Sequence, residues 1–183
     1  VDDRFVIDEG QAKLLGSTGA LTSIRACGSV LIEARQKETR HTATVPPKVI
    51  IASQPSDREM RRIMKLSEGL PGSAEIRIAP HAEDQAAFRT WLSGMVEGFR
   101  NRDVQLNEAG EDPLTHAAVV ITATSNIAIV AQTLGIPAIM VAARRDLEDI
   151  WQDGPYPGLW VDPEDEGAEG RFLDAYQRAL AGD

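Results

Sequence analysis

The hydrophobic positions of this chain fall into short unbroken runs separated by amphipathic stretches. Residues 118–121 (AVVI) and 138–141 (AIMV) are apolar with no polar alternation, as in strands covered by helices on both faces. Between them, Thr122, Thr124, Ser125 and Asn126 precede an apolar helical stretch to Leu134. Gly135 stops that helix and Pro137 prevents its resumption. The result is a β-turn-α-turn-β unit, because parallel strands need such a crossover. The rest of the chain is organised around residues 117–142.

The same rhythm runs on either side. Residues 49–52 (VIIA) and 75–79 (EIRIA) read as strands, 104–106 as a short edge strand, and 159–161 as a last one. Ser56 or Asp57 caps a helix to about Leu70, with Met60, Ile63, Met64 and Leu66 on its inner face. The spacing predicts a second helix over 84–100, with Phe88, Trp91, Leu92, Met95, Val96 and Phe99 inward. A short helix is expected over 146–152 and an amphipathic one over 170–180.

The first 45 residues are less regular. An apolar run at 4–7 ends in Asp8-Glu9-Gly10, and 11–32 carry a weak helical pattern broken by Gly16, Gly19 and Gly28. Residues 33–47 turn polar and end in Pro46-Pro47, a linker signature that places a domain boundary there. The expected division is therefore 1–45, an upstream part with its linker, and 46–183, a domain of alternating strands and helices. The chain starts with Val1 inside what reads as a strand, so a fragment lacking its upstream part is expected.

Five or six short strands alternating with helices predict an α/β fold, a doubly wound parallel sheet. With the strands ordered 3-2-1-4-5-6, the switch point falls between the strands at Val49 and Val119. Ser53 and Gln54 then bound the crevice on one side, and Thr122 to Asn126 on the other, with Pro80 and His81 close by. Thr124 or Ser125 either caps its helix only, or caps it and also holds an anion at the helix N-terminus. There is no GxGxxG after a strand and no GxxxxGK[ST], which disfavours dinucleotide oxidoreductases and P-loop NTPases.

Composition narrows the classes further. At 183 residues, with 43% hydrophobic and 26% charged content, the chain is ordinary for a globular domain. A net charge of −9 argues against a nucleic-acid partner. Cys27 is the only cysteine, which fits a reducing, cytoplasmic compartment and excludes an intrachain disulfide. No apolar run approaches the ~20 residues of a membrane span. His41, His81 and His116 lack metal-ligand spacing, so no metal is expected. His81 is either a surface residue or one that faces the crevice. Asp8 and Glu9 are either a solvated turn or a general base. The acidic run 162–169 (DPEDEGAE) reads as solvated loop.

Asp8-Glu9-Gly10, Pro80-His81 and Thr124-Ser125, in that order, resemble the motifs of the bacterial sialyltransferases and polysialyltransferases of the GT-B fold. Those motifs run Asp/Glu-Asp/Glu-Gly, His-Pro, and a Ser/Thr pair; here Ala82 stands in place of the Pro after His81. The stretch TATSNIAIVAQTLGIPAIMV is similar to the nucleotide-sugar half of many GT-B enzymes, and the resemblance covers most of the chain. It implies Asp8 as base on the acceptor hydroxyl, His81 at the donor phosphate, and Thr124 and Ser125 as phosphate ligands. It further implies the C-terminal, donor-binding half of a GT-B glycosyltransferase of bacterial surface polysaccharide synthesis, with 1–45 the tail of an N-terminal acceptor domain plus linker and 46–183 the nucleotide-sugar-binding, Rossmann-like domain. The donor would be CMP-sialic acid or a related acidic sugar, taken as substrate, with no separate cofactor. A saccharide acceptor, an N-terminal acceptor domain or partner chain, and peripheral association of the full enzyme with the inner face of the membrane complete the expectation. Two alternatives keep the fold: a UDP-sugar-dependent transferase or epimerase, and a noncatalytic nucleotide-binding subunit that needs a partner chain.

Overall fold

Six parallel strands form one sheet. They are β3 (Lys48–Ala52), β4 (Glu75–Ala79), β5 (Val104–Leu106), β6 (Ala117–Thr122), β7 (Ala138–Val141) and β8 (Trp160–Val161). In space they lie in the order β5-β4-β3-β6-β7-β8. Counted within the sheet, this is 3-2-1-4-5-6, the doubly wound, Rossmann-like α/β order. The computed structural model describes residues 3–6, 23–26, 45–53, 56–80, 86–98, 104–107, 111–123, 125, 127–143 and 159–182.

Four helices accompany the sheet: α1 (Asp57–Ser67), α2 (Ala86–Gly98), α3 (Ile127–Thr133) and α4 (Ala168–Ala181). Alternate strand residues share a face, and one alternating set, Val49, Ile51, Ile76, Ile78, Val119, Ile121, Ile139 and Val141, belongs to a single apolar cluster. Met60, Ile63 and Met64 of α1, Leu92 of α2, and Phe172 and Tyr176 of α4 fill the same cluster. Ile50, Val120 and Met140 point the other way and are also buried. Ala128 and Ala131 of α3 are fully buried outside that cluster, so α3 covers the second face beside β6 and β7. α1 and α2, which follow β3 and β4, and α3, which joins β6 to β7, lie on opposite faces because right-handed crossovers require it once the strand order reverses direction. After β8, α4 returns to the first face.

Local chemistry explains the element ends. Ser56 is the N-cap of α1, its hydroxyl accepting the Glu59 N–H at 3.4 Å. That helix ends at Ser67 rather than Leu70, because Glu68 and Gly69 turn the chain before Pro71. Gly135 follows α3 at φ 77°, the left-handed conformation a helix stop uses. In β4 the runs do alternate: Ile76 and Ile78 are buried, while Glu75 and Arg77 are half-exposed and paired at 2.6 Å. Polar residues on that face of β4 show that the half of the sheet toward β5 is not apolar on both sides.

The chain divides into two units, Val1–Arg40 with Arg144–Gly158, and His41–Ala143 with Leu159–Asp183. The second contains the six-stranded sheet. In the first, β1 (Asp3–Val6) and β2 (Ser23–Ala26) pair in parallel, with Asp3 opposite Ser23 and Val6 opposite Ala26. This corrects the helical pattern expected over 11–32, since Ser23–Ala26 is a strand. Its register is set by β1, a non-local partner, and four residues are too few for a periodicity to show. The helix expected over 146–152 lies outside the described residues.

The acidic run 162–169 is also more than a solvated loop. Asp162 is buried and its carboxylate accepts the Glu164 N–H at 2.9 Å. Glu164 accepts from Arg58 at 2.8 Å and from Arg62, which ties the segment before α4 to α1. Asp165 pairs with Arg171 at 3.2 Å.

Candidate functional site

The C-terminal ends of β3 and β6 lie side by side at the centre of the sheet, where the strand order reverses. Register places Ile51 opposite Ile121, so Ser53 and Ala123, two residues on, leave the sheet at the same level. Ser53 is buried and extends the ladder to β4, its N–H donating to Ala79 O at 3.0 Å. Pro80, half-buried, follows directly. The ends of β3, β4 and β6 therefore bring Ser53, Pro80 and the turn containing Ser125 to one edge of the sheet. In open α/β sheets that edge, at the switch point, is where ligands bind.

The turn from β6 to α3 is closed by side chains. Thr122, 1% exposed, accepts the Ser125 N–H on its Oγ1 at 3.1 Å. Ser125 Oγ accepts the Ile127 N–H at 3.4 Å, and Ser125 O accepts the Ala128 N–H at 3.1 Å. Ser125 thus caps α3. Its own N–H and those of Ile127 and Ala128 are already satisfied within the turn, so a ligand there meets the Ser125 hydroxyl before it meets free backbone donors. Among the described residues the first turn of α3 carries no acidic side chain. The first turn of α1 carries Asp57 and Glu59. Acidic groups at that helix start neutralise its dipole, so the β6 side of the crevice is the one suited to an anion.

Of the expected site residues, Ser53, Pro80 and Ser125 are at this edge. Asp8, Gln54, His81, Thr124 and Asn126 lie outside the described residues, and so does the turn beginning at Asp8. One residue at the same edge was not singled out from the sequence. Asn107, just after β5, donates through Nδ2 to Glu111 O at 3.0 Å, while its buried Oδ1 has no hydrogen-bond partner. A polar residue immediately after a strand is the only signal that marks it.

Among the described residues, no group of three or more His, Cys, Asp or Glu side chains is placed to hold a metal ion. No helix among them is long and apolar enough to cross a membrane. A groove of about 580 Å3 among the described residues is lined by α1 and α2 and includes none of the candidate residues. In comparisons with known proteins, the chain matches no family model and no curated protein.

Proposed function

We propose that the six-stranded unit binds a nucleotide-activated sugar at its switch point and serves as the donor half of a GT-B glycosyltransferase, with a CMP-activated acidic sugar as donor. The observation that carries this reading is the 3-2-1-4-5-6 strand order, with Ser53 and Ser125 leaving the two strands that flank the reversal. The hydroxyl of Ser125, in a turn without acidic residues, suits the oxygens of a phosphate or a sugar. The separate parallel pair β1/β2 fits the tail of a second α/β domain. On this reading Asp8 takes the proton of the acceptor hydroxyl, and His81 stabilises charge developing on the departing phosphate. The acceptor hydroxyl oxygen bonds to the anomeric carbon as the bond to the CMP phosphate oxygen breaks.

Calorimetric titration tests it. CMP binding stronger than UDP binding is expected, and His81→Ala should weaken CMP binding about 10–100-fold, the worth of a charge-assisted hydrogen bond. Asp8→Asn should leave CMP binding nearly intact, because a base for the acceptor need not touch the nucleotide. Failure to bind either nucleotide, with the fold intact by circular dichroism, sinks the proposal. UDP binding in place of CMP transfers it to a UDP-sugar donor.

A further inference from the structure

The sheet edge that carries Ser53 and Ser125 also carries Asn107, which follows β5 directly. Asn107 prolongs the ladder, its N–H donating to Ile78 O at 2.7 Å. Val104 and Leu106 pack on the apolar cluster, so alternation turns Asn107 to the opposite face, with Gln105 and Arg77. Its amide lies in that direction: Nδ2 donates to Glu111 O at 3.0 Å, and the Glu111 carboxylate pairs with Lys48 at 3.5 Å and Arg77 at 3.4 Å. Helix α3, and with it the turn containing Ser125, covers the same face.

Only half of the Asn107 amide is used. The bond from Nδ2 to Glu111 O fixes which end of the amide is the donor. Oδ1 is out of solvent contact and has no donor among the described residues. A buried acceptor without a donor is costly and calls for a reason. The residue as a whole is only half-buried, and the amide torsion of asparagine is broad. A small turn therefore presents the oxygen to the edge.

The span to Ser125 is that of a nucleotide. β5 lies three strand spacings from β6, or about 14 Å. Taking off about 3 Å for a hydrogen bond at each end leaves roughly 8 Å for the ligand. That is the reach of a pyrimidine nucleotide from its phosphate to the outer edge of its base.

We propose that Asn107 selects the base: Oδ1 accepts the exocyclic N–H of cytosine while Ser125 meets the phosphate. The assignment rests on the proposed nucleotide site and names the group that makes it prefer one pyrimidine. Uracil presents a carbonyl oxygen where cytosine presents its amino group, and two facing acceptors repel. Asn107 cannot reverse its amide to suit uracil without losing the bond to Glu111.

Calorimetric titration of CMP and UMP into the full chain tests this, with circular dichroism as the control for folding. The parent should bind CMP about tenfold more tightly than UMP, the worth of one hydrogen bond gained or refused. Asn107→Ala should lower CMP affinity about tenfold and spare UMP, so that the ratio falls to about one. Asn107→Asp keeps an acceptor in place and should keep CMP ahead of UMP. Loss of the tie to Glu111 alone would weaken both nucleotides equally, so the ratio separates base selection from a structural role. Three results would each overturn the inference and leave the nucleotide site standing: a parent that does not prefer CMP, a preference that survives Asn107→Ala, or one lost in folded Asn107→Asp. A folded parent that binds neither nucleotide overturns both.

Discussion

Thr122 Oγ1 accepts the backbone N–H of Ser125 at 3.1 Å across the turn by which β6 gives way to α3. The turn is thus built by two hydroxyl side chains, each serving a backbone donor that would otherwise be left without an acceptor. Ser125→Ala removes the acceptor of the Ile127 N–H and should cost about 1 kcal/mol in urea unfolding. If Ser125 also holds a donor phosphate, CMP affinity falls by more than that loss of stability explains. An unchanged affinity in the folded variant leaves Ser125 as a cap alone.

Gly135 adopts φ 77°, and a Cβ there meets no atom within 4 Å. Backbone strain alone should therefore set the cost of a side chain. Gly135→Ala is expected to destabilise by about 1–2 kcal/mol, and Gly135→Asn by less, because asparagine tolerates the left-handed region. Thermal unfolding of the two variants side by side gives the ranking, and equal losses would contradict the strain argument.

Glu164 joins the segment before α4 to Arg58 and Arg62 of α1. Arg58 is 62% exposed and Arg62 only 20%, so the second pair is the better shielded. Glu164→Ala should cost about 1 kcal/mol or less. Its difference from the parent in urea unfolding should shrink in ~1 M salt, where screening acts over about 3 Å. A salt-independent loss would point to the loop backbone instead.

Leu92 is the one fully buried side chain among the described residues of α2. Its truncation to alanine should cost about 2–5 kcal/mol, as for other buried leucines. Met95→Ala, at a half-buried position, should cost clearly less. Comparable losses would mean that α2 is held by its rim rather than by one anchor.

Much of this fold is legible along the chain, and the reasons differ by element. The strands Glu75–Ala79 and Ala138–Val141 have the bounds that their apolar runs predict, because Pro71-Gly72 and Pro80 flank the first and Gly135 and Pro137 precede the second. The start of α1 is equally plain, since Ser56 is a capping residue ahead of an apolar stripe. Helix α2 shows the limit of the method. Of the described positions expected to face inward, only Leu92 is fully buried, while Phe88, Trp91, Met95 and Val96 are half-buried against the core; Phe99 lies outside the described residues. Periodicity reports which side is apolar, not how far a helix near an edge strand is covered. The Arg58–Glu164 pair joins residues 106 positions apart, and no local pattern encodes it. At the candidate site, strand ends locate the edge of the sheet. That Thr122 closes a turn rather than facing a ligand depends on hydrogen-bond geometry that residue type alone does not give.

The reversal of strand order at the sheet centre also bears on how the chain folds. Each strand in β3-β4-β5 and in β6-β7-β8 pairs with its neighbour in sequence. Only the junction of the two half-sheets joins distant partners: Val49 lies opposite Val119, 119 − 49 = 70 positions away. Closing so long a loop costs entropy before any contact repays it, and parallel pairing is slow for that reason. The two halves are thus expected to assemble first and meet last. The seam they form is the switch point itself, so a ligand seated across it also acts as a clasp. By mass action it holds the halves together and raises the free energy of unfolding in proportion to the logarithm of its concentration above its dissociation constant.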